Sequence, residues 1–175
     1  MEKGFVQIYT GEGKGKTTAA LGLSFRAAGR GKKVLFVQFL KGIRTGEEIS
    51  MSENENIIHL KLAETVRFFL TLSEDEQIEL KSKTLREWGD LKKRIETDPM
   101  DILVLDEIMA AIHNGLVDEM AVVSFLRDRP KYLEVILTGR SASEKLMNEA
   151  DLVTEMRNRK HYYNEGILSR IGIEY

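Results

Sequence analysis

No cysteine occurs among the 175 residues, and that absence removes a disulfide framework, a thiolate metal site and a cysteine nucleophile together. It also fits a reducing compartment. Nowhere is there an apolar run as long as a membrane span requires, and the opening Met1-Glu2-Lys3-Gly4 leads straight into a strand-like segment. Neither a signal peptide nor a membrane span is expected, and the expected location is cytoplasmic. Net charge is -2, so no long-range field of one sign draws in nucleic acid or an anionic membrane. The three histidines, His59, His113 and His161, stand far apart without partners at ligand spacing, so a histidine metal site is not expected. Repeats, linkers and low-complexity segments are missing too.

What is present is the balance of a soluble globular protein, 42% hydrophobic and 31% charged, in a length that suits one domain spanning 1–175. Short apolar strands alternate with helical stretches. Strands are expected at Phe5–Tyr9, Val34–Phe39, Ile57–Leu60, Ile102–Leu105, Glu134–Thr138 and Leu152–Glu155. A helix is expected from Thr17 to Ala28, stopped by Gly29 and Gly31. The polar stretch from Lys41 to Asn56 reads as a long loop, its acids as a solvated face. The longest helix starts at Ser73, which stands at capping-box spacing from Glu76. Ile78, Leu85, Trp88, Leu91 and Ile95 then recur at helical intervals until Asp98-Pro99, and Trp88 reads as core packing. His113-Asn114-Gly115 reads as a helix stop, and Met109, Met120, Met147 and Met156 as core filler. The alternation points to a mostly parallel sheet with helices on both faces.

Directly after the first strand, Thr10-Gly11-Glu12-Gly13-Lys14-Gly15-Lys16-Thr17-Thr18 opens the first helix. Glycines let backbone N–H groups turn inward and approach phosphate oxygens, and the helix aims its positive end at the same place. Lys16 is placed to neutralise phosphate charge and the Thr17 hydroxyl to meet Mg²⁺. Counted back from Gly15, the first position of the general phosphate-loop pattern is Thr10 rather than glycine. The loop is therefore read either from Thr10 or, one residue shorter, from Gly11. A second acidic element follows: Ile102-Leu103-Val104-Leu105 ends in Asp106-Glu107. A carboxylate at such a strand end lies beside the phosphate loop and holds Mg²⁺ directly or through water. Adjacent in a strand-to-helix turn, the two acids should not both point the same way.

These residues resemble the ATP:corrinoid adenosyltransferases. The loop 10–20 is similar to that family's unusual phosphate loop. Arg26-Ala27-Ala28-Gly29-Arg30-Gly31, Gln38-Phe39-Leu40-Lys41-Gly42, Leu105-Asp106-Glu107, Leu137-Thr138-Gly139-Arg140, Ala150–Met156, Lys160-His161 and Gly172-Ile173-Glu174-Tyr175 follow in order. The resemblance implies a single-domain, P-loop NTPase-like (RecA-like) fold. It implies transfer of the 5′-deoxyadenosyl group of ATP to a reduced corrinoid, with release of triphosphate and with Mg²⁺ or Mn²⁺ at the phosphates. Lys16, Thr17 and Glu107 are then the expected catalytic residues. Gly11, Glu12, Gly13, Lys14, Gly15, Lys16, Thr17, Thr18, Arg26 and Arg140 are expected at ATP, and Thr17, Asp106 and Glu107 at the metal, with Glu107 favoured as the direct ligand.

Two departures stand out. Members commonly carry a Gly-Phe-Thr-Trp-like stretch that helps form an apolar corrinoid pocket. Here Glu64-Thr65-Val66-Arg67-Phe68-Phe69-Leu70-Thr71 stands instead, so Phe68 or Phe69 takes the phenylalanine role and the tryptophan is missing. Tyr162-Tyr163 follows Lys160-His161 where a proline and one aromatic are usual. With four residues ahead of the first strand, the N-terminal extension that some members lay over the nucleotide is not expected. A reductase and a homodimeric partner are implied; nucleic acid and membrane are not. Two other classes of function remain to be told apart from the transferase: a P-loop kinase or NTPase acting at the γ-phosphate, and an ATP-binding module with an altered acceptor.

Overall fold

The apolar runs form one sheet. The computed structural model describes residues 3–175; Met1 and Glu2, half of the opening tetrapeptide, lie outside the described residues. Strands β1 (Val6–Thr10), β2 (Val34–Phe39), β3 (Ile57–Leu62), β4 (Ile102–Asp106), β5 (Glu134–Thr138) and β6 (Leu152–Glu155) line up in the order β3-β2-β4-β5-β1-β6. Every pairing is parallel. Burial on both faces explains the near-continuous hydrophobicity of β2 and β4, in which every position is buried.

Helices α1 (Lys16–Ala28) and α2 (Gly46–Ser52) cover one face, where Ala20, Ala28 and Met51 pack with Val34, Phe36, Val104 and Ile136. Helices α3 (Glu74–Thr97), α4 (Ile108–His113), α5 (Glu119–Asp128) and α6 (Glu144–Asn148) cover the other, where Trp88, Ile95, Ile108 and Leu126 meet Leu35, Val37 and Leu103. This is the expected α/β architecture, all parallel rather than mostly so. No helix among the described residues is long and apolar enough to cross a membrane.

Three expectations need correction. The stretch read as a loop from Lys41 to Asn56 contains α2, started by a capping arrangement in which the Thr45 N–H donates to Glu48 Oε1 at 3.2 Å. Its helical period is faint because Met51 is its one buried residue. In α3 the expected cap is present, with Ser73 N–H donating to Glu76 Oε2 at 2.8 Å and Glu76 N–H to Ser73 Oγ at 3.3 Å. The buried stripe, however, is Leu80, Thr84, Trp88, Leu91 and Ile95, while Ile78 and Leu85 are exposed. At about 100° per residue, Ile78 stands roughly 200° from Leu80 and Leu85 about 100° from Thr84, both off the face that meets the sheet. Met120 is likewise exposed rather than core. Trp88 packs as expected, edge-on to Phe125 at 5.8 Å between ring centres.

Two features of this frame position the site. The carboxyl ends of β1, β2, β4 and β5 open at one edge, where open parallel sheets bind their ligands. Beyond the exposed edge strand β6 the chain turns back through a 3-10 turn at Tyr162–Glu165 and returns to that edge.

Candidate functional site

The turn from β1 into α1 is built on glycines that no other residue replaces easily. Gly15, immediately before α1, has φ of 116°, and Gly11 has φ of 98°, a region side chains avoid. A Cβ on Gly13 would lie 2.8 Å from the Met156 carbonyl oxygen, to which the Gly13 N–H donates at 2.7 Å. The glycines therefore also admit the chain that leaves β6. Lys16 is buried, its Nζ donating to the carbonyls of Gly11 at 2.7 Å and Gly13 at 2.9 Å. Burial pushes this ammonium down from its ordinary value, with the Glu107 carboxylate acting in the opposite sense. Lys14 points elsewhere, to Glu174 at 2.7 Å and the Tyr162 hydroxyl at 3.0 Å.

Asp106 and Glu107 part company because Glu107 adopts φ of 61°, a left-handed turn that costs a non-glycine residue about 1–3 kcal/mol. Its N–H donates to Thr138 Oγ1 at 3.0 Å. Asp106 is fully buried and turns inward: Oδ1 accepts from Thr17 Oγ1 at 2.8 Å and Thr138 Oγ1 at 2.6 Å, and Oδ2 from Gln38 Nε2 at 3.1 Å. The Glu107 side chain turns outward to line the cleft over the phosphate loop. Burial, then the neighbouring Asp106 charge, raise its proton affinity.

With its one proton committed to Asp106, the Thr17 hydroxyl keeps lone pairs for the cleft it lines. That hydroxyl oxygen and the Glu107 carboxylate both line the cleft and are hard donors of the kind a Mg²⁺ ion takes alongside phosphate, with Asp106 standing behind Thr17. The donor set fits the cation.

Two clefts meet here. One, of about 640 Å³, is lined by Glu12 through Thr18, Lys41, Glu47, Glu107, Arg140, His161 and the tail residues Gly172–Tyr175. The other, of about 850 Å³, is lined by Leu40, Ile43, Val66, Phe68, Phe69 and Ala110. Lys41, Glu107, Glu174 and Tyr175 line both. Phe68 and Phe69 differ sharply: Phe68 is 86% exposed and Phe69 7%. Phe69 belongs to the core, with the Lys81 ammonium 5.6 Å from its ring centre.

Arg140 lines the phosphate cleft in an ion pair with Glu12 at 2.6 Å, and Thr18 lines it too. Arg26 is not brought there. It is exposed in the last turn of α1, about 15 Å along the helix from Lys16. Sequence reasoning assigned no role to Gln38, His59, Lys41, Glu47 or the tail residues. Gln38 did carry a signal, as the one polar residue in the buried strand β2. The tail carried a signal only as a family motif at Gly172–Tyr175, and no role, because only folding returns it to Lys14.

Comparison with known proteins adds the following. The family model described as ATP:corrinoid adenosyltransferase BtuR/CobO/CobP matches residues 2–175. The chain is 34% identical over 175 residues to a corrinoid adenosyltransferase of Escherichia coli K12, covering 99% of this chain and 87% of that one. It is 35% identical over 182 residues to a corrinoid adenosyltransferase of a Sinorhizobium species, covering 99% and 81%. Among solved structures, the cytoplasmic domain of EssC is similar in fold, with a TM-score of 0.53 at 16% identity. There the alignment covers 95% of this chain and only 34% of the other.

Proposed function

This chain is a member of the ATP:corrinoid adenosyltransferase family, and from that premise we propose how its two adjoining clefts divide the reaction. The enzyme transfers the 5′-deoxyadenosyl group of ATP to the cobalt of a reduced corrinoid, serving adenosylcobalamin synthesis or salvage. The observation that carries the division is the shared wall. Lys41, Glu107, Glu174 and Tyr175 line both the phosphate cleft and the apolar cleft, so a nucleotide in one presents its ribose end to a ligand in the other.

The cobalt(I) electron pair forms the bond to the ribose 5′-carbon as the carbon–oxygen bond to the triphosphate breaks, and that bond's electron pair leaves on triphosphate. No proton moves, so no general base is required. The protein's task is to hold two substrates in line and to stabilise the leaving charge. Lys16 exchanges the Gly11 and Gly13 carbonyls for phosphate oxygens, beside the N–H groups of the loop from Gly11 to Thr18. Arg140 leaves Glu12 for the same charge. Thr17 and Glu107 would hold Mg²⁺, or Mn²⁺, with Asp106 acting through its bond to Thr17, and the cation would neutralise part of the triphosphate charge. Phe68, Phe69 and their neighbours give the corrinoid an apolar seat.

The reduced corrinoid calls for an electron-donating reductase as partner, and the ATP supply suits a cytoplasmic setting. The exposed edge strand β6, with Leu152 and Val153 open, offers a second copy a place to form a homodimer.

Product analysis tests the reading. With ATP, Mg²⁺ and chemically reduced cobalamin, the products should be light-sensitive adenosylcobalamin and intact triphosphate. ADP without triphosphate would mean cleavage at the γ-phosphorus and overturn it.

A further inference from the structure

Strand β2 is buried at every position, yet its fifth residue is a glutamine with no exposed surface. A buried primary amide is costly unless both of its ends are partnered. Both are. Gln38 Nε2 donates to Asp106 Oδ2 at 3.1 Å and, at the long distance of 3.5 Å, to Glu47 Oε1, and Gln38 Oε1 lies 2.9 Å from His59 Nε2.

The orientation follows from chemistry alone. An ionised carboxylate only accepts, so the amide nitrogen must face Asp106 and the amide oxygen must face the imidazole. His59 Nε2 therefore carries a proton and donates it. The register makes the alignment possible. Gln38 pairs directly with Asp106 across β2 and β4, and His59 pairs with Phe36, two residues before Gln38 on the same face. Thr17 and Thr138 both bond to Oδ1, so the Oδ2 oxygen of Asp106 has Gln38 as its one hydrogen-bond donor among the described residues.

We propose that Gln38 and His59 are positioning residues for the cation edge of the nucleotide site. The chain His59–Gln38–Asp106 holds the carboxylate plane so that the Thr17 proton stays directed at Oδ1 and the hydroxyl lone pairs face the cleft. The inference rests on the assignment of Thr17 and Asp106 to Mg²⁺. Neither Gln38 nor His59 lines the phosphate cleft, so both act through neighbours: chiefly Asp106 at 3.1 Å, and more distantly Glu47, whose Oε1 lies 3.5 Å from Gln38 Nε2. Outer partners of this kind change metal affinity or activity by about 10–100-fold when removed.

The test is ATP binding by calorimetry across a Mg²⁺ titration, and again in EDTA, with the full chain. Gln38→Met keeps the length and shape of the side chain while removing its hydrogen bonds. It should raise the Mg²⁺ concentration needed for half-maximal binding by about tenfold or more and leave binding in EDTA at the parental level. His59→Leu should shift the requirement the same way. His59→Gln, whose amide nitrogen can take the place of Nε2, should restore it. This pair lies at the less buried end and keeps the test open should Gln38→Met fail to fold. An unchanged Mg²⁺ requirement in Gln38→Met and His59→Leu, with Thr17→Ala shifting it, would refute the relay and leave the site standing. A lowered melting temperature with no Mg²⁺ shift would also refute it, as a structural role only. If Thr17→Ala and Asp106→Asn shift nothing either, the site assignment itself falls.

Discussion

Lys16 is held against two carbonyls of its own loop, a contact that triphosphate would replace in the proposed reaction, where the residue would meet the gathering negative charge. Lys16→Ala should lower turnover by about 100-fold or more, the scale of losing one preorganised charge contact at a leaving group. Steady-state rates at saturating ATP check this, and near-parental rates would withdraw the phosphate-loop assignment. The two phenylalanines make a second contrast. Phe69 is in the core, so Phe69→Ala should cost about 3 kcal/mol of stability. Phe68 is exposed, so Phe68→Ala should change stability by less than about 0.5 kcal/mol and show its effect in the KM for corrinoid. Chemical denaturation and corrinoid kinetics on both variants separate the roles. His59 supplies a pH dependence. Burial holds its pKa below the ordinary 6.5, so the unfolded chain takes up this proton first as pH falls. The stability that His59 contributes is present above about pH 6.5 and is lost as pH drops through the folded-state value. Removing the titrating group in His59→Gln should therefore shrink the fall in melting temperature between neutral pH and about pH 5, measured without ligand.

At the scale of elements, legibility followed burial. Strands with two covered faces, β2 and β4, announce themselves because nothing polar interrupts them except residues with a task, Gln38 and Asp106. The glycine turn between β1 and α1 was legible because glycine, lysine and threonine at this spacing mark a strand-to-helix turn. Helix α2 was hidden by its single buried residue, and the stripe of α3 was misread at Ile78 and Leu85 because an apolar residue on an exposed face looks the same in sequence. The tail was the least legible. Lys14, Tyr162, Arg170 and Glu174 meet across about 150 residues of chain. Glu174 is held as a carboxylate well below its usual range by Arg170, then Lys14 and Tyr162. The Lys14 and Arg170 ends of these ion pairs are open to solvent while Glu174 is half-buried, and pairs with open partners stabilise little, so Glu174→Gln should change the melting temperature only slightly. Because Glu174 lines both clefts, the same variant should instead raise KM for ATP or for corrinoid. A loss of stability without a change in either KM would reduce the tail to a structural strap.

For the whole molecule, the phosphate loop is a junction. It joins β1 to α1, α1 reaches Asp106 on β4 through Thr17, and Gly13 is bonded to the chain leaving β6. A ligand seated there holds elements from both the centre and the edge of the sheet, so its binding energy should appear in global unfolding rather than in a local segment. Ligand that binds only the folded state adds RT ln(1 + [L]/Kd), about 2.7 kcal/mol at a hundredfold excess over Kd. For a domain of this size that corresponds to a rise in melting temperature on the order of 5–10 °C. ATP with Mg²⁺ should give the full rise and ATP in EDTA a smaller one, because Thr17 and the two acids add nothing to binding without the cation. Lys16→Ala should remove most of the rise in both conditions, whereas Thr17→Ala should remove only the difference between them. Calorimetric unfolding of the three proteins, with and without EDTA, provides the comparison. An equal rise with and without the cation in the parental chain would detach Mg²⁺ from Thr17, Asp106 and Glu107. A rise that survives Lys16→Ala would place the triphosphate somewhere other than the loop between β1 and α1.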